Sequence, residues 1–250
     1  MKMRILALAA LLVSVVSASE GRVYATFDVE ANQEATLALT QSGIVGAIKA
    51  DVGDSVKAGD VLLVLENSQE KAAVAQASAD YQAAKIGMEH ARRVFARYTK
   101  IKDVIDKDQY EKYLYEKETA EANFQRAEAA LHISKILLEK TYLKAPFDGT
   151  VSGRYVEVGD GVSGMQLTTL MDFISSGKRK MVLKFDAKHW KAVAVGDVFT
   201  YRVDGVEGEF KGEIAKIYPV SDKKSRNVKA EVYTEGLLPG LFGDGFIEVK

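Results

Sequence analysis

A segment that occurs twice, with a long insert between the copies, constrains the fold of this chain more than any other feature. Residues 43–66 align without a gap on residues 149–172, at a constant offset of 106 (149 minus 43). The identical pairs are Gly43/Gly149, Val45/Val151, Val52/Val158, Gly53/Gly159, Asp54/Asp160 and Val56/Val162. This duplication predicts one structural unit whose two halves are far apart in the chain.

Each copy has the pattern of β structure. Aliphatic residues are interrupted by Gly-Asp turns, in which glycine accepts a positive φ and aspartate caps its own backbone. One copy has too few strands to bury a core, so the two copies are expected to pack on each other as a small sandwich. We place Val52 and Val158 in that core, where an aspartate at either position would be a buried, unpaired charge.

The insert, residues 67–142, has a helical composition, with no proline and one glycine, Gly87. Its seam residues are separated by alternating steps of three and four, which is a heptad pattern. They are Val74, Ala77, Tyr81, Ala84, Met88, Ala91, Phe95 and Tyr98, then Tyr110, Tyr113, Lys117, Ala120, Phe124, Ala127, Leu131, Ser134 and Leu138. The pattern predicts an antiparallel coiled-coil hairpin with arms of about 36 residues, or about 54 Å.

The turn of this hairpin is predicted within IKDVIDKDQYEKY, residues 101–113. Asp106 and Gln109 have the spacing of a capping box, which satisfies the exposed backbone amides at the start of a helix. The second arm should therefore begin directly after Asp106.

The remaining sequence predicts a second β domain. Residues 180–250 alternate between apolar and polar side chains and turn repeatedly, which predicts a unit of five or six antiparallel strands. Residues 22–31 form another candidate strand that would complete it.

The N-terminus has the three parts of a secretory signal peptide. Lys2 and Arg4 precede a largely apolar run, residues 5–16, and Val16-Ser17-Ala18 offers a cleavage site after Ala18. The run is shorter than the roughly 20 residues that a membrane span needs. The chain has no cysteine, so we expect no lipid anchor on the exported protein.

Together these segments resemble the periplasmic adaptors, or membrane fusion proteins (HlyD-like), of bacterial tripartite efflux pumps. Residues 43–66 resemble the first lipoyl half-motif of that family. The segment TYLKAPFDGTVSGRYVEVGDGV, with Ala145-Pro146-Phe147-Asp148-Gly149, resembles the second. The segments GEFKGEIAKIYPVSDKKSRNVKAEVY and LLPGLFGDGFIEVK resemble the barrel domain of the family.

The resemblance implies an elongated, multidomain α+β protein. Its expected parts are a signal peptide (1–18), a β-barrel domain (19–42 plus 173–250), a split lipoyl-like β-sandwich (43–66 plus 143–172) and a long α-helical hairpin (67–142). The further membrane-proximal domain that many family members carry is not expected here.

The resemblance also implies a function, namely a periplasmic adaptor that links an inner-membrane transporter to an outer-membrane channel. The hairpin tip would contact the channel through Arg97, Ile101 and Asp106, although the family usually has serine where Asp106 stands. The barrel and lipoyl end would meet the transporter, for which a resistance-nodulation-division pump is the leading candidate. Family members assemble as homo-oligomeric rings, commonly hexameric.

Other functions have weaker support in the sequence. In a lipoyl or biotinyl carrier the modified lysine lies in a tight turn, whereas Lys71 lies in the helical pattern. His90, His132 and His189 are far apart, and without cysteine they make a poor metal site. A net charge of −1 without a basic patch argues against nucleic acid. We expect neither enzymatic activity nor a cofactor, and a periplasmic coiled-coil scaffold remains an alternative.

Overall fold

The computed structural model describes residues 21–166 and 168–249. The chain divides into two compact units, a barrel unit up to Asn32 and from Gly177, and a sandwich unit from Gln33 to Ser176. The predicted signal peptide, with its cleavage after Ala18, lies outside the described residues.

The barrel unit is a closed barrel of six antiparallel strands, in the order β1-β10-β13-β12-β11-β14. The strands are β1 (Arg22–Ala31), β10 (Arg179–Asp186), β11 (Val198–Val203), β12 (Phe210–Ser221), β13 (Asn227–Thr234) and β14 (Phe242–Glu248). A single 3₁₀ turn, Ala187–His189, follows β10. The barrel matches the predicted unit of five or six strands, completed by residues 22–31.

Aromatic rings fill the barrel core, and a glycine on β14 leaves the space that one of them occupies. Phe27 packs edge-on against Phe199 and Tyr201, with ring centroids 5.8 and 5.3 Å apart. Gly243 lies opposite Phe27 on β14, and a Cβ there would overlap that ring and the carbonyl oxygen of Arg202. Glycine on β14 is therefore a packing requirement of the barrel core.

The sandwich unit contains two four-stranded sheets, β2-β9-β7-β4 and β6-β5-β3-β8. The strands are β2 (Glu34–Leu37), β3 (Gly43–Ile48), β4 (Ser55–Val56), β5 (Val61–Leu65), β6 (Tyr142–Lys144), β7 (Gly149–Arg154), β8 (Gly161–Val162) and β9 (Met171–Ser175). In each sheet the two inner strands come mainly from one copy of the duplication and one outer strand, β4 or β8, comes from the other copy. The second outer strand, β2 or β6, lies just before a copy in the chain. The two copies thus form one unit, as the duplication predicts.

Reciprocal hydrogen bonds join equivalent residues of the two copies. The amide of Gly53 donates to the carbonyl of Val151, and the amide of Gly159 donates to the carbonyl of Val45, both at 2.9 Å. Gly53 and Gly159 have φ angles of 94° and 99°, which an L side chain rarely adopts. The duplicated Gly-Asp turns therefore connect the two halves of the sandwich.

The expected boundary between barrel and sandwich is wrong by about ten residues at its N-terminal side. The expected domain bounds place residues 33–42 in the barrel, but β2 pairs with β9 in the sandwich. The reason is the duplication itself, which extends further than residue 43. Leu37 stands 106 residues before Leu143 of β6, and both leucines are buried outer-strand residues. Residues 173–176, also expected in the barrel, belong to the sandwich because β9 is the partner strand of β2.

The placement of Val52 and Val158 in the core is also wrong. Their side chains are 56% and 61% exposed, whereas Val45 and Val151 are each 1% exposed. Val52 and Val158 directly precede the turn glycines, outside the strands, so their side chains point away from the space between the sheets. An aspartate at either position would remain in water.

The insert forms two helices, α1 (Ser68–Thr99) and α2 (Lys107–Glu139), that pack against each other. Aromatic residues of the predicted seam meet across the pair. Tyr81 contacts Phe124, Phe95 contacts Tyr110, and Tyr98 stacks on Tyr113, with ring centroids 5.3, 5.4 and 3.8 Å apart. Tyr81, in the first half of α1, meets the second half of α2, whereas Phe95 and Tyr98, near the end of α1, meet the start of α2, so the two helices are antiparallel.

The two polar residues of the predicted seam have local partners. Lys117 Nζ lies 5.6 Å from the ring centroid of Phe95 and 3.4 Å from Glu121 Oε2. Glu121 Oε1 in turn accepts a hydrogen bond of 2.7 Å from Arg92 Nε of α1. The hydroxyl of Ser134 donates to the carbonyl of Ala130, one turn earlier. A polar network thus replaces one apolar layer between the helices.

The helices join the sandwich at a buried hydrogen bond. Asn67 and Thr141 are 4% and 1% exposed, and Asn67 Nδ2 donates to Thr141 Oγ1 at 2.9 Å. The residue before α1 is thereby tied to the residue before β6. Among the residues that the structure describes, no helix combines the length and apolar character needed to cross a bilayer.

Candidate functional site: the tip of the helical pair

The tip comprises residues 97–107, which are the last turn of α1, the connection and the first residue of α2. Asp106 is the N-cap of α2, with extended backbone angles, and its Oδ1 accepts a hydrogen bond of 2.9 Å from the amide of Asp108. The predicted cap residue is confirmed, although the bond goes to Asp108 and not to Gln109. The Asp106 carboxylate is therefore already engaged in starting the helix.

The connection between the helices is itself a hydrogen-bonded turn. The amide of Lys100 donates to the carbonyl of Arg97, and the amide of Ile101 donates to the carbonyl of Tyr98. The amides of Val104 and Ile105 both donate to the carbonyl of Ile101. The backbone of the tip is thus ordered by its own hydrogen bonds.

The tip exposes apolar side chains beside charged ones. Ile101 is 47% exposed and Val104 is 86% exposed, and the Arg97 side chain is exposed as well. Among the residues that the structure describes, Arg97 has no carboxylate partner within ion-pair distance. Sequence reasoning missed Val104, although an apolar residue in an otherwise charged turn is the signal that would have identified it.

Stacked aromatic rings support the tip from inside the helical pair. Tyr98 and Tyr113 stack with an interplanar angle of 15°, directly below the connection. A hydrogen bond with Tyr98, together with partial burial, raises the pKa of Tyr113. The tip therefore presents one cation and two aliphatic groups to solvent above a pair of stacked rings.

The other candidate sites gain no support from the structure. Lys71 lies in the first turn of α1, whereas a carrier lysine lies in a turn between strands. Within residues 21–166 and 168–249, no group of three or more histidine or acidic side chains is arranged to hold a metal ion.

Comparison with known families identifies the sandwich unit. Residues 33–169 match the family described as CzcB-like, barrel-sandwich hybrid domain. The match begins at the residue where the sandwich unit begins, and it includes the first duplicated segment, both helices and most of the second duplicated segment, up to residue 169.

Individual relatives agree with this match. The multidrug resistance protein MdtA of Escherichia fergusonii is 29% identical over 131 residues, which are 52% of this chain and 32% of the relative. The matched region is thus about a third of the length of the curated relative.

Solved structures share the fold. MacA from Actinobacillus actinomycetemcomitans has a TM-score of 0.71 at 20% identity, covering 92% of this chain and 79% of the other. The membrane fusion protein Spr0693 from Streptococcus pneumoniae R6 has a TM-score of 0.70 at 16% identity, covering 91% of this chain and 99% of the other.

Proposed function

We propose, from the premise that this chain belongs to the CzcB-like barrel-sandwich hybrid family of membrane fusion proteins, that it is a periplasmic adaptor of a tripartite efflux or secretion system. In this function it links an inner-membrane transporter to an outer-membrane channel and catalyses no reaction. Residues 1–18 would direct its export to the periplasm and be removed after Ala18.

The observation that carries this proposal is the pair of long helices inserted into a split sandwich. At 1.5 Å per residue each helix is about 48 Å long, far longer than the sandwich needs for its own stability. The pair would act as a coiled-coil hairpin that holds its tip away from the sandwich. An exposed, internally hydrogen-bonded tip suits a contact with a distant partner.

We assign the channel contact to Arg97 and Ile101, with Asp106 in a supporting role. Arg97 has an exposed guanidinium that can form a charge-assisted hydrogen bond with a carbonyl or carboxylate of the channel. Ile101, together with Val104, offers apolar area to bury. Asp106 starts α2, so its contribution is mainly to the geometry of the tip.

Assembly with other subunits follows from the same family. We propose a homo-oligomeric ring, hexameric as is common among adaptors, in which the outer faces of neighbouring helical pairs meet. Those faces expose Ile86, Tyr115 and Ile133, at 65%, 70% and 57%. The barrel and sandwich would contact the transporter, which we infer to be of the resistance-nodulation-division class.

Substitution of Arg97 tests the tip. Arg97→Glu should leave the protein folded and exported, because an exposed charge at a helix end contributes only about 0.3–1 kcal/mol. It should abolish capture of the outer-membrane channel in a pull-down and abolish efflux. Arg93→Glu is the matched control, since Arg93 is also exposed and lies one turn further from the tip.

The outcomes separate the candidate functions. If Arg97→Glu supports efflux at the parental level, the channel does not dock at Arg97. If the unmodified protein captures neither channel nor transporter, a periplasmic scaffold replaces the adaptor. A lipoyl or biotinyl adduct in the intact mass would instead indicate a carrier protein.

A further inference from the structure

One end of the barrel carries an apolar groove among basic side chains. We call it the basic end and define it as residues 186–195 and 217–229. The groove has a volume of about 500 Å³ and is lined by Trp190, Ile217, Tyr218 and Val220, among others. Trp190 and Val220 are 60% and 74% exposed, and Val195, nearby in the chain, is 64% exposed. Large apolar side chains are therefore accessible at one end of the barrel.

Hydrogen bonds hold the two segments of the basic end together. The amide of Ala187 donates to the carbonyl of Arg226 at 2.9 Å, which joins the segment after β10 to the β12–β13 turn. Tyr218, in the wall of the groove, donates a hydrogen bond of 2.5 Å to Glu231 Oε1. Glu231 is only 5% exposed, so Tyr218 is tied to the barrel wall. Hydrogen bonds thus fix the walls of the groove relative to the barrel.

The charge of the basic end is strongly positive although the chain has a net charge of −1. Its residues include six exposed cationic side chains against two carboxylates, an excess of four positive charges. The cations are Lys188, Lys191, Lys223, Lys224, Arg226 and Lys229. The carboxylates of Asp186 and Asp222 accept hydrogen bonds from backbone amides of their own turns, Lys188 for the first and Lys224 and Ser225 for the second. Lys188 Nζ also lies 3.2 Å from Asp186 Oδ2. The other five cations form no ion pair within residues 21–166 and 168–249, so they remain available to an anionic surface.

The N-terminal segment of the chain is attached at this same end of the barrel. In the antiparallel pair of β1 and β10, Ala25 lies opposite Phe185, so β1 begins where β10 ends. Gly21 also accepts a hydrogen bond from the amide of Val249, next to the end of β14. The start of β1 therefore lies at the barrel end that carries Trp190.

We propose that the basic end binds the surface of a phospholipid bilayer that contains anionic lipids. Lysine and arginine side chains are attracted to an anionic leaflet, and tryptophan is favoured at the boundary between headgroups and acyl chains. An added peptide strand fits less well, because Pro219 of β12 lacks the N–H that a paired strand requires.

Trp190 is the single tryptophan of the chain, so its fluorescence reports directly on this surface. Vesicles of phosphatidylcholine with phosphatidylglycerol should shift its emission to shorter wavelength and carry the protein in a flotation assay. Vesicles of phosphatidylcholine alone should do neither, and salt should reverse the binding. Binding should weaken about fivefold for each lysine removed near the surface, so Lys223→Glu combined with Lys224→Glu should reduce it by more than tenfold.

The matched control combines Lys178→Glu with Lys211→Glu. It makes the same change of charge at exposed lysines near the starts of β10 and β12, at the other end of the barrel, and should bind like the parent.

An unchanged emission with phosphatidylglycerol vesicles overturns the proposal, as does equal binding of the two variants or equal binding to both kinds of vesicle. A shift produced only by an acidic protein partner would make this a protein-docking surface instead. Vesicle binding needs no channel or transporter, so none of these outcomes bears on the adaptor function.

Discussion

Two pairs of identical valines in the duplication lie in opposite environments. Val45 and Val151 are packed between the sheets, whereas Val52 and Val158, seven residues further along each copy, are exposed to water. Identity between the copies therefore has two physical causes. Some pairs preserve the core, and others preserve the Gly-Asp turns that exchange hydrogen bonds between the halves.

This difference leads to a paired prediction. Val151→Asp should lower the free energy of unfolding by several kcal/mol, because it buries a charge without a partner. Val158→Asp should change it by less than about 0.5 kcal/mol, because the side chain stays in water. Urea denaturation of both variants measures the difference, and equal effects would contradict the positions of these valines.

A second prediction at this scale concerns pH. The hydrogen bond from Arg92 holds the pKa of Glu121 below its ordinary value of 4.5, with charges of Lys117 and Arg92 adding to the effect and partial burial opposing it. A lowered pKa in the folded state adds stability above the unfolded-state pKa, and that contribution is lost as the pH falls through the folded-state pKa. Arg92→Gln should therefore raise the pKa of Glu121 and lessen the loss of stability on acidification below pH 4.5.

NMR titration of the Glu121 carboxyl carbon measures that pKa directly. Arg93→Gln is the control, because Arg93 contacts Glu89 on its own helix and has no contact with Glu121. A Glu121 pKa that is unaffected by Arg92→Gln would mean that the bond between the helices contributes nothing in solution.

At the scale of elements, the helices and the sandwich use glycine for different reasons. Gly87 lies within α1, and a Cβ there would meet no atom within 4 Å. Gly149 begins β7, where a Cβ would overlap the carbonyl oxygen of Ile174 and the ring of Phe173. The helical glycine is thus replaceable, whereas the strand glycine is required by the close approach of β9.

Alanine substitution should therefore have opposite effects at these positions. Gly87→Ala should stabilise α1 by about 0.5–1 kcal/mol, since alanine has the higher helix propensity. Gly149→Ala should destabilise the sandwich, since the backbone must move to accept the methyl group. Amide hydrogen exchange resolves the two elements. Unchanged or slower exchange in the sandwich strands of Gly149→Ala, or faster exchange in α1 of Gly87→Ala, would contradict the prediction.

At the scale of the whole molecule, the two units have separate cores. The barrel core contains Phe27 and the sandwich core contains Phe173, each at most 1% exposed, and the two sets of buried residues have no member in common. Each unit therefore has its own source of hydrophobic stabilisation.

A core truncation should consequently act on one unit. Phe27→Ala should cost about 3–5 kcal/mol and remove exchange protection in the barrel, and Phe173→Ala should do the same in the sandwich. Hydrogen exchange across the full chain compares the two patterns. Simultaneous loss of protection in both units from either variant would show that they unfold as one.

The sequence by itself determined the features that depend on local periodicity or on repetition. The heptad pattern predicted α1 and α2, the spacing around Asp106 predicted the start of α2, and the duplication predicted a split sandwich. These patterns are readable because neighbouring residues in the chain are also neighbours in a helix or a turn. The candidate tip residues Arg97, Ile101 and Asp106 came instead from the resemblance to the adaptor family, and only the capping role of Asp106 came from spacing.

Only the tertiary structure decided what depends on contacts between distant residues. It moved β2 into the sandwich, exposed Val52, and left Val104 as the most exposed apolar residue of the tip. It also brought residues 186–195 beside residues 217–229, so that cations scattered along the sequence form one basic surface around Trp190. Long-range strand pairing leaves no periodic signal in either partner, so the sequence alone could not reveal these contacts.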